Sequence, residues 1–451
     1  MTSYPEYKAT NLPWLPQIPT HWNTLKVKYA FSERSEKGFP NEPLLAATQT
    51  HGVIPKSLYE TRTVEAQKDL HLLKLVKVGD FVISLRSFQG GIEYAYYQGI
   101  ISPAYTIMIP NNAHIESAYF KYLAKSKTFV KLLQTCVTGI REGQNIDYNT
   151  LKRNSIPIPS ATEQKQIVRY LDSMTAKINK LIRAKKKQIA LLQEQKQAII
   201  NQAVTKGLNP NAEMKDSGID WLGQIPAHWA IKKFSKVASI KSNLVKPENY
   251  YDYPQVSPDK IEKHTGKLLP VISVKDAGII SNNHLFFKGQ ILYSKIRPLL
   301  NKVAIAPFDG LCSADMYPIE TILETEYLKF FMLSTWFLYQ IKQSGDRVKM
   351  PKINQEEMAK LEIVIPSKHE QKDIVRSIYE CWNQIDMVLK SLEKSIQTLS
   401  EYKNSLIASV VTGQVDIRNI QVENFDPADL ISDTDDDPVE DDDQPQEESE
   451  E

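Results

Sequence analysis

The chain has 451 residues, 42% hydrophobic and 24% charged, a composition that fits a soluble globular protein of two or three domains. No basic-then-apolar leader and no apolar run near about 18 residues occurs, so secretion and membrane spanning are not expected and the cytoplasm is the expected location. The net charge of +1 hides an asymmetry: residues 426–451 hold fourteen acidic groups and no Lys or Arg, which leaves 55 basic against 40 acidic groups, a net +15, in residues 1–425.

Taken in chain order, the first feature is the word "WLPQIPTHW" from Trp14, which returns as "WLGQIPAHW" from Trp221 with seven of nine positions the same. A second pair, "IPIPSATEQKQIVR" from Ile156 and "IVIPSKHEQKDIVR" from Ile363, matches at ten of fourteen positions. Both pairs are offset by 207, so the chain contains a duplicated unit. His21 and His228 sit inside the opening word, where packing is the expected role.

Each copy continues into a mixed region. Short β-like runs, "DFVISL" from Asp80, "AYTIMIP" from Ala104 and "GQILYSKI" from Gly289, are punctuated by Gly, Pro and Asn. Helical patterns follow at "SAYFKYLAKSKTFVKLL" and "TEYLKFFMLSTWFLYQI". These read as α+β domains over residues 1–159 and 208–366.

A long helix then closes each copy, over 160–207 and 367–413. Ser160 precedes Glu163 by three and Ser367 precedes Glu370 by three, the spacing of a capping box. Ile167, Leu171, Met174, Ile178 and Leu181 keep an average period of 3.5, with Leu192 and Ile199 resuming it after Lys185 and Gln188. Ile374, Ile378, Cys381, Ile385, Val388, Leu392, Leu399, Tyr402 and Leu406 keep the same phase. That is the period of a coiled-coil seam. Gly207 and Gly413 are the expected stops. Two such helices in one chain are expected to pair antiparallel, with a pseudo-two-fold relation between the copies. Residues 414–451 form an acidic tail, too charged to fold and expected to be disordered from about 426.

Several chemistries are missing. The sequence contains no P-loop and no H-E-x-x-H, and its three cysteines, Cys136, Cys312 and Cys381, are far apart with no CxxC pair. No metal site and no catalytic constellation is expected. The basic body points to a polyanion such as nucleic acid.

The doubled "W-L-x-Q-I-P-x-H-W", the doubled "I-P-S-x-x-E-Q-K-x-I-V-R" and their arrangement resemble the specificity subunit of Type I restriction–modification systems, over about Trp14 to Thr412. The turn "REGQNIDYNTL" from Arg141 also fits; its counterpart "RVKMPKINQEEM" from Arg347 lacks the Gly and Gln. The resemblance implies two target-recognition domains, each reading one half of a bipartite site on double-stranded DNA, with the long helices as spacer. It also implies a subunit that is not itself an enzyme and binds no cofactor. Its partners would be two methyltransferase subunits using S-adenosylmethionine for adenine methylation, and restriction subunits using ATP and Mg. A specificity subunit of a Type IIB-like fused system, or a coiled-coil scaffold for proteins, are the alternatives.

Expected DNA contacts are Arg86, Ser87 and Gln89, beside two glycines that permit close backbone approach, and Lys295 and Arg297 at the corresponding place in the second copy. Arg141, Gln144 and Asn145 form a further loop, as do Arg347, Lys349 and Lys352. Arg grips guanine, Asn and Gln grip adenine, and Lys usually serves phosphates. The expected docking faces for methyltransferase are Glu163, Gln164 and Lys165 on the first helix and Glu370, Gln371 and Lys372 on the second.

Overall fold

The repeated words meet each other in space. A computed structural model describes residues 2–49, 51–58, 69–85, 87–139, 145–344 and 352–430. In it, His21 Nε2 lies 3.0 Å from a Glu163 carboxylate oxygen, and His228 Nε2 lies 2.7 Å from one of Glu370. Trp22 and Trp229, the last residues of the two opening words, are fully buried beside these pairs. The Gln of each helix word acts alike: Gln164 accepts from Glu116 N and donates to Pro159 O, while Gln371 accepts from Glu324 N and donates to Pro366 O. Each opening word is thus the packing partner of its own helix word, which is why both occur twice.

The long helices run Ala161–Lys206 and Lys368–Val411. At Ser367 the capping box is complete, with Glu370 N donating to Ser367 Oγ and Ser367 N donating to the Glu370 carboxylate. At Ser160 only Glu163 N→Ser160 Oγ forms, because the Glu163 carboxylate instead accepts from the Tyr4 hydroxyl at 2.6 Å. The position 207 residues after Tyr4 is Asn211, which has no such hydroxyl. Gly207 and Gly413 follow the helix ends with φ of 73° and 71°, a left-handed conformation that costs glycine nothing.

Two compact units result. The first takes residues 1–186 together with 393–451, and the second is the uninterrupted stretch 187–392. In the first, an opening hairpin, Tyr7–Leu12 with Leu15–Pro19, leads to the strand Asn23–Lys26, which pairs antiparallel with Ser155–Ile158 just before the long helix. A four-stranded sheet follows in the order Phe31–Arg34, Thr106–Pro110, Phe81–Ile83, Glu93–Tyr94. The second unit repeats this plan. Met214–Asp216 pairs with Gln224–Pro226, Ala230–Lys233 with Glu362–Ile365, and the sheet order is Ala238–Ile240, Met316–Thr321, Ile291–Ser294, Val303–Ile305. Its added five-stranded sheet includes one parallel pair, Pro254–Val256 with Gly310–Cys312.

Each helical pattern of the mixed regions is two helices, Ser117–Lys125 with Lys127–Thr135 and Thr325–Leu333 with Thr335–Ser344. The breaks fall at Ser126 and Ser334. Each hydroxyl donates to the carbonyl three residues back and accepts from the amide three residues on, so it ends one helix and caps the next.

The helices are cut between the units in a telling way. The first core buries Ile167, Leu171 and Ile178 from the start of the first helix with Leu406, Val410 and Val411 from the end of the second. The other core buries Ile200, Ala203 and Val204 from the end of the first helix with Ile374 and Ile378 from the start of the second. Start meets end in both units, so the pairing is antiparallel. Polar cross-links repeat as well: Lys403 Nζ donates to Asn179 Oδ1 at 3.2 Å and Lys196 Nζ donates to Asp386 Oδ1 at 2.8 Å. Both partners of one link lie 207 residues from those of the other.

The 3.5-residue seam does not hold throughout. Leu181, Val388 and Tyr402 are about half exposed, while Ile182 and Leu389, one residue further on from the first two, are half-buried. A straight helix at 3.6 residues per turn drifts about 20° per heptad away from a 3.5 repeat, enough to rotate a strict seam out of the interface after two heptads.

Beyond Gly413 the chain turns back over the first unit. Asp416 N donates to Thr2 O at 2.9 Å, and Ile417 is fully buried. Gln166, Ser173 and Asn179 of the first helix then donate in turn to the carbonyls of Ile420, Glu423 and, from Asn179, both Asp429 and Leu430. Pro427–Leu430 forms a 3-10 turn there. Disorder from about 426 is therefore corrected for residues 426–430; residues 431–451 lie outside the described residues. Among the described residues, no helix is long and apolar enough to cross a membrane.

Candidate nucleic-acid interface

In both units the second strand in sequence of the four-stranded sheet, Phe81–Ile83 or Ile291–Ser294, runs out of the core into a tight turn. Ser84 and Ser294 mark the exit; both are buried. A short helix follows in each case, Ser87–Gly90 in the first unit and the 3-10 turn Pro298–Leu300 in the second. Seven residues after each buried serine the chain adopts positive φ, at Gly91 (94°) and Asn301 (45°). A side chain at Gly91 would collide with Ala124 O, so only glycine fits. Asn301 fills the same role as the non-glycine residue most tolerant of that region.

Ser87 is corrected as a DNA contact. Its hydroxyl accepts from Ser84 N at 2.9 Å, lies 3.2 Å from Ser84 Oγ, and is buried. It staples the turn. The two glycines likewise approach the chain itself: Gly90 faces the Gln49 side chain and Gly91 faces Ala124. Gln89 is exposed on this turn. The turn packs on the strand Asn145–Ile146, whose Asn145 is exposed and accepts from Thr138 Oγ1 at 3.3 Å. Gln89 and Asn145 are thus exposed residues of two elements packed on each other. Arg86, Arg141 and Gln144 lie outside the described residues.

The second unit brings its two candidate loops together more directly. Ile353 N donates to Lys295 O at 3.0 Å, and Ile296 forms a β-bridge with Lys352. Lys295, Arg297 and Lys352 are therefore neighbours on one edge, with Lys352 52% and Arg297 well exposed. Arg297 has φ of 45°. A non-glycine residue held there costs on the order of 1–3 kcal/mol, retained because the buried Pro298 and the bridge to Lys352 fix the backbone on both sides. Arg347 and Lys349 lie outside the described residues.

Sequence reasoning missed two members of this cluster. Asp315 lies 3.4 Å from Lys352 Nζ, and its carbonyl accepts from Lys295 N. Tyr317 places its ring 5.4 Å under the Lys295 ammonium. Both come from the loop and strand after Cys312, far from the other candidates in sequence, so only the sheet pairing of Ile291–Ser294 with Met316–Thr321 reveals them. Behind them His284 is buried, and burial together with Lys295 lowers its pKa. It stays neutral and adds no charge to the cluster.

The expected docking faces also need correction. Glu163, Gln164 and Gln371 are buried and bonded within the chain as described above, so they offer nothing to a partner. Lys165 and Lys372 remain exposed, Lys165 3.5 Å from Glu116, and Glu370 is about one-third exposed. Burial alone would raise the Glu370 pKa, but hydrogen bonds from His228, Trp229 and Ser367 outweigh it and hold the carboxyl at about 2. Cys136 and Cys312 are buried free thiols, and no group of His, Cys, Asp or Glu fit to hold a metal occurs among the described residues.

A family model described as Type I restriction modification DNA specificity domain matches the chain twice, over residues 32–191 and 226–395. The chain belongs to that family. Each match covers most of one mixed domain and the first part of the long helix after it. The Type I restriction enzyme EcoDI specificity subunit of Escherichia coli is 32% identical over 58% of this chain and 62% of its own length, so the chain spans less than two thirds of that relative. The MjaVIII specificity subunit of Methanocaldococcus jannaschii is 21% identical over 77% of this chain and 81% of the relative. A chain from a solved structure of the type I R-M system has the same fold, with a TM-score of 0.65 at 13% identity over 88% of this chain and 99% of the other.

Proposed function

We propose that this specificity-family chain is the DNA-recognition subunit of a Type I restriction–modification complex. Each mixed domain reads one half of a bipartite, asymmetric site on double-stranded DNA. The chain directs adenine methylation or ATP-dependent restriction and performs neither reaction itself. Two methyltransferase subunits carrying S-adenosylmethionine dock on the paired helices, and restriction subunits bring ATP and Mg, all in the cytoplasm. The observation that carries this reading is the recurrence of one turn in both units: in the first it carries exposed Gln89 and packs on the strand of exposed Asn145, and in the second it brings Lys295, Arg297 and Lys352 together. These are residue types that read base edges and phosphates. Arg86, Arg141, Gln144, Arg347 and Lys349 belong to the same loops by sequence.

The test is modification-sensitive long-read sequencing of cells with and without the chain. Methylation is expected to vanish at a single motif made of two short halves and a fixed gap. An unchanged methylome in cells whose partner methyltransferase is active would remove the proposal.

A further inference from the structure

Asp315 is an acid set among cations. Beside Lys295, Arg297 and Lys352 its carboxylate repels the same phosphates that they attract. The fold does not call for an acid at this place. The turn is held by the Asp315 backbone, whose amide donates to Ser313 Oγ at 3.2 Å and whose carbonyl accepts from Lys295 N at 3.0 Å. In the first unit the corresponding strand of the sheet, Thr106–Pro110, is preceded by Tyr105 and not by an acid. Among the described residues the Asp315 carboxylate has one hydrogen-bond partner, Lys352 Nζ at 3.4 Å, and the side chain is 42% exposed. An ionised carboxylate offers about four acceptor sites and no donor, so most of its capacity stays open.

We infer that Asp315 is a specificity-determining residue that accepts from the exocyclic amine of a cytosine in one half-site, with Lys352 on the guanine of the same pair. The inference rests on the DNA-recognition reading and deepens it. Two base groups donate in the major groove, cytosine N4 and adenine N6. Adenine carries the N7 acceptor next to N6, which repels the second oxygen of a carboxylate, whereas cytosine has only a C–H beside N4. In a C·G pair the N4 donor stands next to the guanine O6 acceptor, with N7 beyond it. Asp315 and Lys352 are the complementary couple, an acceptor and a donor held 3.4 Å apart. Any pair that turns O4 or O6 toward the carboxylate leaves it without a donor and adds repulsion. The acid thus weakens binding to DNA at large and recovers the loss at a C·G pair, which is discrimination by exclusion of the alternatives.

Methylomes of cells that express the full chain with its methyltransferase partner, as the parent, Asp315→Asn and Asp315→Ala, test it. Both substitutions keep the backbone bonds that hold the turn. The parent motif is expected to require a C·G pair at one position where both variants lose roughly tenfold or more of the preference over other pairs. Asp315→Asn should newly admit adenine in place of that cytosine, because an amide bonds N6 and N7 together. The other half of the motif should stay as it was. An unchanged motif in both variants would overturn the inference. So would an equal rise or fall at every site, the result for a carboxylate that only neutralises Lys352. A parent that methylates no bipartite motif would sink the DNA-recognition reading and this role with it; an intact parent motif that neither variant relaxes sinks the role of Asp315 alone.

Discussion

Glu370 illustrates how much one side chain of the repeated words does. Its carboxyl is held at about 2 against an ordinary 4.5, so the ionised form is favoured in the folded state. A depressed folded pKa contributes stability that is fully present above the unfolded value and is lost as pH falls through the folded one. Glu370→Gln should therefore be less stable than the parent at pH 7, by about 1 kcal/mol once solvent screening of a partly exposed group is allowed for. The difference should shrink from about pH 4.5 downward and vanish near pH 2, as thermal melts across that range would record; a constant difference would refute the assignment. In the DNA-facing edge, Arg297→Ala should cost roughly 1–3 kcal/mol at one base position if it grips a base. Lys352→Ala should instead weaken all sequences alike and reduce the salt slope by about 0.9. Asp315→Asn should strengthen binding to unrelated duplex, since it removes a carboxylate beside Lys352. Titrations of each variant against specific and unrelated duplexes at several salt concentrations separate these outcomes. At this scale the sequence was only partly legible. Ser87 has the chemistry of a DNA contact but its hydroxyl faces inward, and nothing local in "LRSFQGG" reveals that Ser84 will capture it. Asp315 and Tyr317 reach the site through strand pairing, which local spacing does not encode.

Among the elements, the long helices were legible because their signals are local: a serine and a glutamate three apart at the start, a glycine at the stop. The antiparallel pairing and the two-domain plan follow from the duplication. The middle of the seam was not legible, since a 3.5 repeat in sequence meets its partner only while the helices stay wound to it, and Leu181 and Val388 face solvent where they do not. The breaks at Ser126 and Ser334 were missed for another reason: the apolar spacing runs through them, and only the cap geometry divides the helices. Both helix stops are glycines with positive φ, yet they differ in surroundings. A side chain at Gly207 would approach the Trp229 ring at 3.0 Å, whereas at Gly413 it would collide with the Pro19 ring and also crowd Trp22. Gly207→Ala and Gly413→Ala should each cost more than about 1 kcal/mol, with Gly413→Ala the worse. Denaturant unfolding of the two variants gives the order directly, and equal costs would show that backbone strain alone decides them.

For the whole molecule, what matters is which residues each unit owns. The second unit is one stretch, 187–392, and contains every buried residue of its core. The first unit borrows Leu406, Val410, Val411 and Ile417 from the far end of the chain, and each such side chain contributes roughly 1.5–3 kcal/mol when fully buried. A fragment of residues 187–392 should unfold cooperatively by itself. A fragment of residues 1–186 should not, and adding residues 393–430 in trans should restore its transition. Circular dichroism melts of the three preparations decide this, and a cooperative transition in the 1–186 fragment alone would contradict it.

The same discontinuity sets an order of events at the ribosome. Translation proceeds at about 5–20 residues per second, so roughly 10–40 s pass between the emergence of Lys186 and that of Glu393. Through that interval the nascent first head holds an apolar face open, with Trp22, Tyr119 and Ile167 waiting for a helix not yet made. The second head, synthesised last, is the first able to close. The chain therefore completes from its middle outward, and the N-terminal domain relies on the C-terminal helix to finish it.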